Sequence, residues 1–414
     1  MSYRPALPKK GLYKYVPALA HRNFRLFWTG QLVSLTGTWM QSMAQSWLVL
    51  ELTGSPFLLG LVGAVQFGPF LLLSLFAGVL ADRLPRRRLL LMTQSTLLLL
   101  ALGLAVDVHL GLVRYWHVLV FAGLAGIANT FDMAGRQSFY VQLVGKEDLM
   151  NAIALNSSVF NAARIVGPAA AGLLTGYAGV AACFFFNALS FLAVLAGLSL
   201  MRLDDARPVP GSGRDFLGNI REGLRYTRAT PGVLAPIMLM GALSIFAMNF
   251  QVLIPAFARI VLEQDARGYG FLMSAHGLGA LGGALTLAAL SHRGFKRGFL
   301  TGGAVGLCLF QLLLAPVRLY PLAFVLLVLT GWSLSTFSAS VNTAIQLAVR
   351  DEFRGRVVSL YSLVFIGFTP IGSLISGSLA RHLGVPAAMA TGALAGMICA
   401  VFLSRRIPAA GNGP

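Results

Sequence analysis

The stretch FAGVLADRLPRRR, residues 76–88, governs how the chain is read. An apolar run ends at Asp82 and meets Arg83, Arg86, Arg87 and Arg88 within seven residues. The run before it, 57–81, is long enough to cross a hydrocarbon core of about 30 Å, which asks for about 20 apolar residues of helix. The arginines then mark the side on which that helix emerges. The whole chain has this character: of 414 residues, 57% are hydrophobic and 11% charged, with a mean hydropathy of +0.75. A soluble domain carries about a quarter charged residues. Too little polar surface is available here to coat a soluble globule, so the class is a multispanning membrane protein.

Runs of spanning length number twelve, near 26–50, 57–81, 88–107, 115–140, 150–176, 180–201, 232–258, 268–290, 298–316, 320–348, 356–381 and 385–404. The expected organisation is a segment 1–25, a bundle 26–201, a linker 202–231, a second bundle 232–404 and a tail 405–414. Sorting the 32 Lys and Arg by alternating side, with the N-terminus inside, places 26 on the inner side. Five fall outside (Arg114, Arg259, Arg267, Arg318 and Arg381), and Arg164 lies within a span. This bias predicts both termini in the cytoplasm, in a multi-pass inner-membrane protein. The net charge of +18 is therefore topological; no basic region with interleaved aromatics suggests nucleic acid.

The second half echoes the first. At an offset of 205, Gly167, Gly172, Gly179 and Val180 fall on Gly372, Gly377, Gly384 and Val385. Asn129-Thr130 likewise recurs as Asn342-Thr343. Six spans repeated in parallel describe a transporter architecture. In the linker, Leu217, Ile220 and Leu224 share one helical face while Arg221, Arg225 and Arg228 lie elsewhere. This predicts an amphipathic helix on the inner leaflet, or else a disordered linker.

Cys183, Cys308 and Cys399 lie in apolar runs and form no disulfide or metal pattern. The first twenty residues hold Lys9, Lys10 and Lys14 without an apolar signal core, so no cleaved leader is expected. GLGALG at 277–282 has no preceding strand and reads as helix packing. No P-loop is present, and no cofactor or metal is expected.

One acid, Asp132, and one base, Arg164, sit well inside the spans, and Arg136 follows Asp132 by one helical turn. Asp132 is a candidate proton-coupling carboxylate tuned by Arg164 or Arg136, or a static interhelical ion pair. His276 and Glu51 are further titratable candidates. Polar residues also recur at helical spacing in spans 1, 4, 7 and 10. They include Thr38, Gln41 and Gln45, then Asn129, then Met248 and Gln251, then Ser338, Asn342 and Gln346. Polar groups facing lipid are costly, so these faces are expected to turn toward protein or a wet cavity.

The turn at 78–87 resembles the loop signature of the major facilitator superfamily: Gly78, Asp82, Arg83, Arg86 and Arg87 stand in register, with Pro85 replacing the second glycine. ARIVGPAAAG in span 5 is similar to a motif of its drug–proton antiporters, with Gly167, Pro168 and Gly172 retained. With ELTGSP, FDMAGRQ and LMNAIALNSSVFNAARIVGP, the chain resembles the branch holding enterobactin exporters and macrolide efflux pumps. The resemblance implies an all-α membrane fold of 12 transmembrane helices in two six-helix bundles related by pseudo-twofold symmetry. It implies that spans 1, 4, 7 and 10 line a central cavity. It also implies that Gly78 allows close helix approach and that Asp82 latches onto the start of span 11, near Arg354–Val358. The function expected is a proton-driven exporter of an amphipathic drug-like or siderophore-like molecule, with a functional monomer, lipid and protons as its context. A proton-coupled importer or a non-transporting sensor are the alternatives; nothing suggests an enzyme.

Overall fold

A computed structural model describes residues 16–202, 216–290 and 297–407. Six helices form the first half: α1 Arg22–Thr53, α2 Pro56–Arg83, α3 Arg86–His109, α4 Tyr115–Val144, α5 Leu149–Ala178 and α6 Val180–Leu200. After α7 (Phe216–Ala229), the second half comprises α8 Pro231–Phe246, α9 Phe250–Ala256, α10 Ala266–Leu290, α11 Arg297–Leu314 and α12 Tyr320–Ala348. It closes with α13 Arg354–Gly367, α14 Thr369–Leu383 and α15 Val385–Ser404. Counting α8 with α9 and α13 with α14 as single spans gives twelve crossings in two bundles of six.

Ten segments are long and apolar enough to cross a membrane on length and composition; α1 and α5 complete the twelve but are more polar. That polarity is a first sign of which helices face a wet interior. The two bundles pack alike. In the first, α2 lies on α4, α3 on α6, and α1 on α6; in the second, α10 lies on α12, α11 on α15, and α8 on α15. The repeated glycines give both copies the same break. Gly179 before α6 and Gly384 before α15 have φ of 78° and 85°, a backbone region that side chains with a Cβ disfavour.

Two expected spans differ from a straight rod. Span 7 breaks at Ala247–Met248–Asn249, between α8 and α9. There the Asn249 amide donates to the Ile245 carbonyl at 2.7 Å, a local bond that competes with the helical ladder. A π turn, Phe257–Val261, then ends the span. Span 11 breaks at Phe368, because Pro370 in the first turn of α14 has no N–H to continue the ladder of α13. In membranes, interrupted helices are confined to protein interiors and cavities.

The arginine-rich turn is built from Leu84, which is extended, and Pro85, which precedes the first residue of α3. Arg87 reaches across to the end of α6, its Nε donating to the Leu198 carbonyl at 2.7 Å and its Nη2 to the Ser199 carbonyl at 2.9 Å. A cation on the last carbonyls of a helix satisfies orphan acceptors and the negative end of the dipole. Linker helix α7 rests on the second bundle. Tyr226 stacks on Phe353 at 4.2 Å, and Arg356 pairs with Glu222 at 2.9 Å. Arg221, Arg225 and Arg228 remain exposed; the side chains of Leu217 and Ile220 lie outside the described residues.

Candidate functional site

The halves meet mainly away from the arginine-rich end. Two glycine seams close the far end. In one, α5 crosses α10: a Cβ on Gly270 would lie 3.0 Å from the Gly172 Cα, and one on Gly172 would lie 2.8 Å from the Ala266 carbonyl. In the other, α14 crosses α2: a Cβ on Gly377 would lie 2.8 Å from the Pro56 carbonyl and 3.3 Å from the Gly60 Cα. Residues 172 and 377 are the repeated glycines, so the internal repeat encodes two equivalent seams. Gly167 packs instead within its bundle, against Trp39 and the Thr36 carbonyl, and Gly372 correspondingly against Asn249. Pro168 is buried between these contacts and presents its carbonyl to Gly270.

Three arginines of the second bundle add to this closure, each over an aromatic ring of the first. Arg259 lies 5.3 Å from the Trp47 ring, Arg267 4.5 Å from Tyr177 and Arg381 5.7 Å from Phe57. Trp47 also stacks on Tyr269 at 5.9 Å and donates to Glu51 at 2.7 Å, which places Glu51 at the exposed rim of the seal. Cation–π contacts contribute about 0.5–2 kcal/mol each. Replacing all three arginines by Gln is therefore expected to open the far end more often. Labelling of a cysteine at position 42 by an impermeant maleimide from that side should rise several-fold; unchanged labelling would deny the arginines a sealing role.

Toward the arginine-rich end the halves separate. Neither α4 nor α12 makes a comparable contact with the opposite bundle. Asn129, Ser157, Thr343 and Gln346 are exposed on these helices and on α5. Exposed polar groups within spans belong in water, so the gap between the bundles is a wet cavity open at the arginine-rich end. Gly78 follows the same geometry. No described residue lies within 4 Å of a Cβ placed on it, so the close helix approach expected there is not made among the described residues in this conformation. Arg83 is exposed, Arg86 half-buried, and the Asp82 side chain lies outside the described residues.

At the closed end of the cavity, Ser42 of α1 donates to Gln251 of α9 at 2.9 Å, a hydrogen bond between the halves. Gln45 donates to Gln66 at 3.0 Å beside it, in a small chamber walled by Leu59, Val62 and Phe67. Gln41 is turned into its own bundle, accepting from Asn187 at 2.6 Å. Thr38 is exposed and donates to the Ser34 carbonyl. Met248 sits at the helix break and accepts from Ser244. On α12, exposed Gln346 donates to half-buried Asn342 at 2.6 Å, and the buried Ser338 hydroxyl has no partner.

Asp132 is held inside the first bundle. Its Oδ1 accepts from Thr93 and from Gln94, both at 2.8 Å, and its Oδ2 accepts from Arg136, whose Nε lies at 3.0 Å. Of the two expected arginines, Arg136 is thus the partner. It also lies 5.7 Å from the Phe27 ring. Arg164 lies elsewhere, at the start of the α5–α10 seam, within electrostatic reach of buried His276. Thr93 and Gln94 were not singled out in the sequence, although a polar pair inside the leucine-rich α3 is the signal that would have found them. Gln66, Asn187, Gly60 and Gly270 were missed for lack of any such signal.

This geometry is that of a transport protein, and its relatives agree. The family model described as transmembrane secretion effector matches residues 14–411. The chain belongs to this family of the major facilitator superfamily. It is 29% identical over 384 residues to the multidrug efflux pump Tap of Mycolicibacterium fortuitum, covering 89% of this chain and 92% of Tap. It is 27% identical over 361 residues to the enterobactin exporter EntS of Shigella boydii, covering 87% and 85%. A variant of the nucleoside transporter NupG shares the fold with a TM-score of 0.76 at 14% identity, covering 94% and 100%.

Proposed function

We propose that this secretion effector is a proton-driven exporter of an amphipathic small molecule, working as a monomer in the cytoplasmic membrane with both termini inside. The observation that carries the reading is the conformation: a wet cavity open at the arginine-rich end and glycine seams closed at the other. Positive residues gather on the cytoplasmic side, so this is an inward-open state, ready to load cargo from the cell. Tap and EntS, both named for outward transport, support the same direction.

Alternating access then consists of the bundles 26–201 and 232–404 rocking about the Ser42–Gln251 level. The seams part at the outer end, and the cytoplasmic turn bearing Asp82 closes onto the start of α13. Asp132 is the coupling carboxylate. It is the acid buried among the central helices, and its protonation removes the charge that holds Arg136. Uptake into inverted vesicles tests the function. Accumulation of an amphipathic dye that collapses with the pH gradient is expected; accumulation confined to right-side-out vesicles would replace export by import.

A further inference from the structure

Among the described residues, the cavity holds one charged group that the protein leaves unanswered. Arg164 lies where the open gap meets the α5–α10 seam. Its carbonyl lies 2.9 Å from a Cβ placed on Gly277, and the next residue's carbonyl accepts from Ser274 at 2.6 Å. The backbone is therefore pinned to the opposite bundle at the roof of the cavity. One and two turns toward the open end, on the same face, Asn161 is half-buried and Ser157 exposed, so this face of α5 looks into the gap.

Arg164 is half-buried, its Nε is fully buried, and that nitrogen has no hydrogen-bond partner among the described residues. No acid among the described residues pairs with it, for Asp132 is bound to Arg136 and Glu51 to Trp47. Across the seam, His276 is buried against the Phe250 ring at 4.4 Å, and its Nε2 is likewise without a partner. A desolvated cation with no counter-ion is costly in a membrane protein. Such a group persists where a ligand supplies the missing charge. The apolar side of the same site is at hand: Phe160, one turn from Arg164, packs edge-to-face on Trp39 at 5.7 Å.

We propose that Arg164 is the anchor of the cargo and that the cargo is an amphipathic anion. Its carboxylate- or phenolate-type head accepts from the outer nitrogens of the guanidinium, and its aromatic body lies along Phe160 and Trp39. Arginine suits this role because its fork of donors matches a planar two-oxygen anion. The inference deepens the export reading, from which it takes only the direction of movement.

Binding to the purified protein in nanodiscs tests it without any gradient. Carboxyfluorescein and rhodamine 6G share a xanthene core and carry opposite charge. Fluorescence polarisation is expected to show carboxyfluorescein bound at least about tenfold more tightly. Arg164→Gln should weaken carboxyfluorescein by about tenfold or more and leave rhodamine 6G unchanged or improved. Arg164→Lys, which keeps the charge, should stay closer to the parent. Undiminished carboxyfluorescein binding by R164Q, or equal loss of both dyes, would overturn the anion site. Retained charge selectivity without uptake into inverted vesicles would support the anion site and overturn export instead.

Discussion

Asp132→Asn is expected to abolish gradient-driven accumulation while exchange of cargo without a gradient survives. Asn has nearly the shape of Asp, and its Oδ1 can still accept from Thr93 and Gln94, which lie at 2.8 Å in the parent. It can neither take up a proton nor pair with Arg136. Its amide group would face the guanidinium, donor against donor. Removing one member of a buried ion pair costs about 3–5 kcal/mol, because the remaining charge is stranded. Here the cost falls below that range, since the Arg136 side chain is 20% exposed. The double variant D132N/R136Q removes the stranded cation and should recover most of the thermal stability while staying uncoupled. Stability and coupling are thus separated. Normal pumping by D132N, measured in inverted vesicles under an imposed pH gradient, would remove Asp132 from the mechanism.

The second large effect is expected at the seams. Gly60→Val and Gly270→Val each place a branched side chain where a Cβ already meets the opposite bundle. At Gly270 the obstacles are the Pro168 carbonyl and the Gly172 Cα; at Gly60 they are the Ser373 carbonyl and the Gly377 Cα. Both are backbone, which cannot swing aside. Overpacking a close contact costs about 1–3 kcal/mol. Because these contacts join the halves, the cost falls on the conformation with closed seams and spares each bundle. The sites lie on separate seams, so the costs should add. A shift of about 1.4 kcal/mol is tenfold in population, and the pair should therefore move the balance toward opening of the far end by about thirtyfold or more. Transport should stop while the protein still folds. An impermeant maleimide applied outside should label a cysteine at position 42 in the double variant, with Cys183, Cys308 and Cys399 replaced. Unaltered labelling with normal transport would mean that the seams do not bear on closure.

What the sequence disclosed and what it withheld divides on a physical line. Hydropathy and the placement of Lys and Arg are summed over whole segments, so the twelve helices could be read from them. The offset of 205 likewise pointed to Gly172 and Gly377. Their partners, Gly270 and Gly60, were not legible, because a seam is defined by a crossing angle between distant helices. The same applies to Arg259, Arg267 and Arg381. In a count of charges they are exceptions on the sparse side; in three dimensions each lies over a ring of the other half. The partner of Asp132 was half legible: Arg136 is one turn away, but choosing it over Arg164 required knowing where α3 lies. Gly78 belongs to a third kind, since its packing depends on the state the molecule occupies.

The equivalence of the two seams bears on how such a protein could arise. A lone six-span unit that met a copy of itself through a twofold axis would close both crossings with one set of small residues, each used twice. A single favourable change would then have acted in duplicate. After fusion, each crossing became free to diverge on its own, and the aromatic partners and their cations could settle on opposite halves, Trp47, Tyr177 and Phe57 on one and Arg259, Arg267 and Arg381 on the other.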